Sequence, residues 1–146
     1  MNNEENISLE KILNKFELLK TKAEEDCIFS KTDFQANFEN SNKIFYYISQ
    51  KIDWLKIKSY LDIKYRRQLK NLYEYYKTEF ALNLTQVELK VYIESDNNYI
   101  KINEELNVVN EILNFIDGVI DILKRKSFEM KQWIEYQKFI QGQDKS

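Results

Sequence analysis

Cationic and aromatic side chains are interleaved through the middle of the chain in a pattern suited to binding a polyanion. Between Lys43 and Lys77 there are nine lysines or arginines against three acidic residues, a net charge of +6. Lysine and arginine neutralise phosphates, and an aromatic ring among them can stack on an unpaired base. This segment therefore predicts binding of single-stranded DNA with little base preference. The candidate DNA-binding residues are Lys56, Tyr60, Lys64, Arg66, Arg67, Lys70 and Lys77.

A helix is the element that would position these residues. At about 100° per residue, most of the basic side chains fall opposite an apolar side, and Tyr60 and Ile63 interrupt the basic side. One side would then pack on the protein while the other meets the polyanion. The alternative is that the basic side is only solvated and that the tyrosines are core and rim residues. The predicted apolar side consists of Trp54, Ile57, Leu61, Tyr65, Leu69, Leu72, Tyr75 and Tyr76.

Catalytic chemistry has few candidate residues in this sequence. The chain has no histidine and one cysteine, Cys27, which excludes an intramolecular disulfide, a thiolate metal cage and a Cys-His nucleophile. Asp117 and Asp121 lie one helical turn apart, as paired acid-base carboxylates do, but no base or nucleophile accompanies them. A glycine-rich phosphate loop is also missing. We therefore expect no enzyme activity, no metal site and no cofactor.

The composition predicts a single, mostly α-helical domain covering residues 1–146. A chain of 146 residues with 43% hydrophobic and 32% charged side chains is typical of one folded unit. It contains no proline and only two glycines, which favours long helices over folds that need repeated tight turns. The start lacks a signal-peptide pattern and no apolar run is long enough to span a bilayer. We expect a cytoplasmic protein with no membrane partner.

Apolar periodicity places the helices of the first half. The first is predicted from Ser8, a suitable N-cap, to about Glu25. After a polar connector at residues 30–33, a longer basic helix continues through Lys77, and Thr85 could cap the next helix after a second connector at residues 78–84. Apolar positions of the first helix are Ile12, Leu13, Phe16, Leu19 and Ala23; those opening the second are Phe34, Phe38, Ile44 and Ile48.

Residues 85–146 are predicted to form an oligomerisation region, distinct from a DNA-binding region at residues 1–84. Within it, residues 89–102 favour a helix, although alternation around residues 95–98 also suits a hairpin. The C-terminal stripe has three-four spacing up to Gly142 and is too apolar to leave exposed. It predicts a homo-oligomer contact; the alternative is packing within one subunit. The candidate oligomerisation residues are Ile116, Val119, Leu123, Met130, Trp133 and Ile140.

The order of these segments resembles the UvsY family of phage recombination mediators. An amphipathic first helix precedes a basic helix ending in Tyr75-Tyr76, and Glu88-Leu89-Lys90 leads through Asp96 to the stretch from Leu113 to Lys124. The similarity continues through Phe128 and the Met130-Lys131 step. It covers most of the chain from about residue 32 to residue 142.

The resemblance implies a protein that binds single-stranded DNA and loads a RecA/UvsX-like recombinase in place of single-strand-binding protein. It also implies an elongated helical subunit in a ring-like homo-oligomer, hexameric or heptameric, acting in the host cytoplasm. In that family a Lys-x-Arg pair before the Tyr-Tyr contributes to DNA binding. Lys70 keeps the lysine, whereas Leu72 stands in the arginine position, so Arg66 and Arg67 are expected to take over part of that role. The alternative function is a helical-bundle adaptor or coiled-coil chaperone that uses its basic face on acidic protein partners.

Overall fold

A computed structural model describes residues 7–28 and 38–143 of the chain. These residues form no strand; they form helix α1 (Leu9–Asp26), helix α2 (Asn40–Glu74), a π-helical turn (Tyr75–Glu79), helix α3 (Gln86–Glu94) and helix α4 (Asn97–Gln143). The mostly α fold class is confirmed. Among the described residues, no helix combines the length and the apolar character needed to cross a membrane. The predicted connector at residues 30–33 and Phe34 lie outside the described residues.

Helix α1 begins where its cap was predicted. The Ser8 hydroxyl accepts a hydrogen bond from the Lys11 backbone N–H at 3.3 Å, which satisfies one of the free donors of the first turn. One stripe of the helix is buried, but Leu13, which was predicted to belong to the apolar side, is exposed. The amphipathic first helix is therefore confirmed with a narrower apolar side. Its buried residues are Ile12, Phe16, Leu19 and Ala23.

The buried side of α2 begins at Tyr47, which the sequence did not single out. Tyr47 is fully buried, and its hydroxyl donates to a carboxylate oxygen of Asp26 at 2.8 Å. Burial, and then this hydrogen bond, raise the pKa of Tyr47. Trp54 and Leu61 follow Tyr47 at steps of seven residues and are buried with it. The side of α2 that packs on the protein is thereby fixed.

The predicted apolar opening of the long helix is wrong at two positions. Phe38 and Ile48 are exposed, and Ile44 is half-buried. Ile48 follows Tyr47 directly, so it points about 100° away from the buried side. Tyr47, in contrast, lies seven residues before Trp54 and fourteen before Leu61, so the period of the whole helix places it on their buried side.

Helices α3 and α4 together exclude a hairpin at residues 89–102. Thr85 caps α3 as predicted, within a reciprocal pair in which the Thr85 hydroxyl accepts from the Glu88 N–H at 3.3 Å and the Glu88 carboxylate accepts from the Thr85 N–H at 2.8 Å. After α3 ends, an Asp96 carboxylate oxygen accepts from the Asn98 N–H at 2.9 Å at the start of α4. The favoured helical interpretation is confirmed, with a break between two helices.

Helix α4 carries the predicted three-four stripe and buries most of its first part. It continues through Gly142 to Gln143, one residue beyond the predicted end of the periodicity. Glu105 is the exception in this stripe, because it is a carboxylate with 1% exposure, and neither of its oxygens has a hydrogen-bond partner within the described residues. The buried apolar residues of α4 are Ile102, Leu106, Val109, Ile112, Leu113, Ile116, Val119, Ile120 and Leu123.

The described residues group into two compact units. The first contains the chain up to Glu17 together with Asp53–Leu113, and it holds a small core of Leu72, Leu89 and Ile93. The second contains the described parts of Leu18–Ile52 and the chain from Asn114 onward. In the second unit the Asn40 side-chain amide donates to the Leu123 carbonyl at 2.8 Å and also contacts the Ser127 hydroxyl. The division at residue 84 into DNA-binding and oligomerisation regions stays a prediction.

Candidate nucleic-acid interface

The predicted DNA-binding side chains share one property in the structure, which is exposure to solvent. Six of them lie on α2, and Lys77 lies on the π-helical turn that continues it. Trp54, Leu61 and Leu72 of the same helix are buried. The predicted opposition of an apolar and a basic side is therefore present. The exposed residues are Lys56, Tyr60, Lys64, Arg66, Arg67, Lys70 and Lys77, and we call them the basic face.

The cations of the basic face are largely free to bind an anion. Lys70 lies 4.0 Å from the Glu74 carboxylate, and both side chains are more than half exposed, so the pair is weak. Among the described residues, Lys56, Lys64 and the two arginines have no ion-pair partner within 4.0 Å. A bound phosphate would therefore displace few existing contacts.

Apolar side chains also reach the surface on this part of α2. Tyr60 is 39% exposed and Ile63 is 51% exposed, and Ile52 and Leu55 are exposed one to three turns earlier. Tyr60 offers a ring that can stack on a base beside the cations. Ile63 has no such role and interrupts the basic face, as the sequence predicted.

Leu72 occupies the position where the family's Lys-x-Arg pair has its arginine. It is buried and packs with Leu89 and Ile93, so it belongs to the core of the first unit. A charged side chain at this position would lose its hydration without a partner. Arg66 and Arg67 are exposed on the preceding turns of the helix, and their expected share in the role of that arginine stays a prediction.

The basic face ends beside Tyr73, a residue that the sequence did not propose for the site. Tyr73 is exposed and follows Arg66 by seven residues and Lys70 by three, which places it on the same side of the helix. The Lys77 ammonium donates to its hydroxyl at 3.3 Å and lies 5.2 Å from its ring centroid. The pKa of Tyr73 is lowered, first by the hydrogen bond from Lys77 and its charge and then by a hydrogen bond from Gln86.

Tyr75 belongs to an aromatic cluster at the π-helical turn, not to the buried side. It is 45% exposed, because the helix changes from α to π spacing at this residue and the α-helical projection no longer applies. Adjacent rings of Tyr75, Tyr76, Phe80 and Tyr92 have centroids 5.0–5.8 Å apart. Four aromatic residues flanking one short connector were the sequence signal for this cluster.

The six candidate oligomerisation residues separate into two groups. Ile116, Val119 and Leu123 are buried within the subunit, so their apolar surface is already used and is not free for a second copy. Met130 and Trp133 are half-buried and Ile140 is 37% exposed. Exposed Tyr136 and Phe139 extend this second group along the end of α4. Of the six candidates, Met130, Trp133 and Ile140 are therefore the ones that keep apolar surface accessible, and their role in a contact between subunits stays a prediction.

The residues considered as catalytic candidates were Asp117, Asp121 and Cys27, and the structure gives the contacts or the exposure of each. Asp117 accepts a hydrogen bond from the Lys51 ammonium at 2.7 Å in an ion pair, and Asp121 is exposed. Cys27 is a half-buried free thiol, and burial is the largest influence on it and raises its pKa. No group of three or more metal-ligating side chains could hold an ion within the described residues.

Comparison with solved structures shows the fold that this chain shares. Three crystal structures of the bacteriophage T4 recombination mediator protein UvsY, in lattice types IV, II and I, are similar to it with TM-scores of 0.77, 0.78 and 0.77. Their sequence identities are 19%, 20% and 19%, and the matches cover 83–85% of this chain and 95–97% of those chains. No curated protein matches the chain by sequence.

The described residues form a helical protein with an exposed basic helix, an arrangement suited to binding a polyanion. The family model described as "Recombination, repair and ssDNA binding protein UvsY" matches residues 22–143. The chain belongs to the UvsY family. The resemblance noted in the sequence is confirmed, and single-stranded DNA and a recombinase are the partners that the family implies.

Proposed function

We propose that the chain binds single-stranded DNA through the basic face and presents the strand to a RecA/UvsX-like recombinase in place of single-strand-binding protein. The observation that carries this proposal is the exposure of every predicted cation along α2 and the π-helical turn that continues it, while Trp54, Leu61 and Leu72 of α2 are buried. Lysine and arginine contacts to phosphate give affinity without base readout. A mediator needs that property, because it must accept whatever sequence has become single-stranded in the host cytoplasm.

One subunit has a modest number of cations, so we propose that it acts in a ring-like homo-oligomer, hexameric or heptameric. Repeating the basic face in one assembly raises the local concentration of sites, and avidity can then exceed single-site affinity by about 10²-fold or more. The exposed apolar end of α4, with Met130, Trp133 and Ile140, is the surface we assign to this assembly.

The test is fluorescence anisotropy of a labelled oligo-dT, and of a duplex of equal length, titrated with the protein at several salt concentrations. The expected result is tighter binding of the single strand and a log-log salt slope of about −0.7 per phosphate neutralised. The double variant Arg67→Ala with Lys70→Ala should fold and assemble normally, yet bind oligo-dT more weakly with a slope shallower by about 1.4.

A matched control removes the same charge elsewhere on the surface. Lys101 and Arg125 are exposed on α4, and changing both to alanine should leave the affinity and the slope close to those of the wild type. Equal losses in the two double variants would show a response to net charge and would reject the basic face as the site. If the folded wild type does not bind oligo-dT at low salt, the proposed function is wrong, and the adaptor for acidic protein partners becomes the better interpretation.

A further inference from the structure

A shallow groove lies beside the end of the basic face. It has a volume of about 170 Å³ and is lined by residues of α2 and α3. Leu89 and Ile93 are buried apolar residues, whereas Gln86 and Lys90 are exposed and polar. An apolar groove with a few polar groups is the usual form of a site for a small organic ring. The lining residues are Tyr73, Gln86, Leu89, Lys90, Ile93 and Glu94.

The groove continues the basic face onto a second helix. Tyr73 is the aromatic residue at this point, and it shares its side of α2 with Arg66 and Lys70. Lys77 contacts Tyr73 from the π-helical turn. Lys90 belongs to α3 and is 75% exposed at the other rim, 3.9 Å from the Glu94 carboxylate. A strand that follows the basic face therefore meets an aromatic ring that Lys77 contacts, with Lys90 among the residues that line the same groove.

The size of the groove restricts its occupant. Pockets for drug-sized ligands are usually about 300–1,000 Å³, so 170 Å³ suits a single flat ring system. A nucleobase is such a ring, and its π-face stacks on tyrosine while its polar edge can hydrogen-bond to amide or carboxylate groups. Beyond Lys77 the charges change sign, because Glu79, Glu88 and Glu94 follow. These carboxylates repel phosphates but tolerate an uncharged base.

We propose that the groove beside Tyr73 receives an unpaired nucleobase of the strand whose phosphates contact the basic face. This inference rests on the proposed function and adds a base-binding subsite to it. The Tyr73 ring supplies stacking, Leu89 and Ile93 supply an apolar floor, and Lys77 and Lys90 contact the flanking phosphates. The subsite binds bases of any type, because every base has a π-face, and it excludes duplex DNA, whose bases are already stacked and paired.

The test compares two labelled probes of equal length, oligo-dT and the same deoxyribose-phosphate chain without bases. The variant Tyr73→Leu keeps an apolar side chain but removes the aromatic face. It should bind oligo-dT about 5-fold to 100-fold more weakly, while its affinity for the abasic probe and its salt slope stay unchanged, because tyrosine carries no charge. Tyr73→Phe keeps a ring and should bind both probes like the wild type.

Val87→Ala is the matched control, since Val87 is 75% exposed on α3 and does not line the groove. It should leave both affinities unchanged, and circular dichroism should show that every variant has wild-type helicity. Wild-type oligo-dT affinity in Tyr73→Leu would overturn the subsite, as would an equal loss on the two probes. If the subsite is overturned but the double variant Arg67→Ala with Lys70→Ala still binds oligo-dT weakly, the proposed function stands without the subsite. If the wild type binds neither probe, the proposed function and the subsite are both rejected.

Discussion

The Tyr76 hydroxyl donates a hydrogen bond to a carboxylate oxygen of Asp96 at 2.8 Å. The other oxygen of the same carboxylate accepts the Asn98 N–H at the start of α4. The Asp96 side chain thus joins the π-helical turn to the start of α4. Tyr76 also packs on the core of Leu72, Leu89 and Ile93, so this bond helps to hold α3 beside the end of the basic face.

Removing the Tyr76 hydroxyl should destabilise the protein in a pH-dependent manner. Tyr76→Phe is expected to lower the free energy of unfolding by about 1 kcal/mol near neutral pH. The hydrogen bond to Asp96, followed by burial, raises the pKa of Tyr76 from 10.0 to about 12. Since the folded-state pKa is the higher one, the stabilisation is complete below pH 10 and is lost as the pH rises towards 12.

Urea denaturation of the wild type and Tyr76→Phe across alkaline pH measures this difference. The gap between the two proteins should be constant below pH 10 and should narrow above it. Tyr75→Phe is the control, because the Tyr75 hydroxyl makes no hydrogen bond among the described residues and its removal should change little. A gap that persists unchanged to high pH would mean that the hydroxyl acts by packing, without the bond to Asp96.

Replacing the Thr85 cap should destabilise α3. Thr85→Ala removes the hydroxyl that accepts the Glu88 N–H and is expected to cost about 1 kcal/mol, whereas Thr85→Ser should keep the cap. The hydrogen bonds from the Thr85 backbone and hydroxyl hold the pKa of Glu88 below its usual range. The contribution of Glu88 is therefore present above pH 4.5 and disappears as the pH falls through the lowered pKa.

Thermal unfolding of the two Thr85 variants at neutral and acidic pH tests the cap. The difference between Thr85→Ala and the wild type should be largest near neutral pH and smaller in acid. Equal stability of the alanine and serine variants would show that the capping pair contributes nothing to α3.

Replacing the buried Glu105 carboxylate by an apolar group should stabilise the protein. Glu105 is 1% exposed, and neither carboxylate oxygen has a partner among the described residues. Burial of an unsatisfied polar group costs free energy that Glu105→Leu would recover, by about 1–3 kcal/mol. Urea denaturation at one fixed protein concentration measures this gain, because the proposed self-association would make apparent stability depend on concentration.

The neighbouring residue provides the control for Glu105. Glu104 is exposed on the same turn, and Glu104→Leu should change the free energy of unfolding by no more than about 0.5 kcal/mol. A loss of stability in Glu105→Leu, comparable to the loss caused by a core defect, would show that the carboxyl group has an essential partner in the assembled protein.

A charge at the end of α4 should reduce the mass of the assembly. Ile140→Glu places a carboxylate on the exposed apolar surface that we assign to subunit contacts, and its desolvation would oppose association. Gln141→Glu adds the same charge at the next exposed position and should have little effect. Light scattering with size-exclusion chromatography compares the two variants; an unchanged mass for Ile140→Glu would remove this surface from the assembly.

Regular periodicity predicted most of the helical fold, because α1, α2 and α4 each bury one repeating stripe. Two failures have different causes. The expected core position of Ile48 follows the local spacing with Ile44, whereas the period that runs through Trp54 and Leu61 selects the adjacent Tyr47. Glu105 lies within the apolar stripe of α4. A charged residue in such a stripe predicts an exposed position, whereas Glu105 is buried.

The candidate site was predictable on one helix and not across two. The exposure of Arg66, Arg67 and Lys70 follows from their positions opposite Trp54 and Leu61, so the basic face was visible in the sequence. Tyr73 was not proposed, because the other wall of its groove comes from α3. The spacing of residues along α2 alone therefore could not show that Tyr73 lines a groove.

The π-helical turn makes this part of the chain sensitive to insertions and deletions. In that turn the Phe80 N–H bonds to the carbonyl of Tyr75, five residues back, at 3.0 Å, so the turn holds one residue more than an α-helix would between the same two bonds. Deleting a residue from Tyr75–Glu79 would restore α-helical spacing and rotate the rest of this turn by about 100° relative to α2. Length changes in homologous sequences should therefore avoid these five positions and accumulate in the connector at residues 80–84.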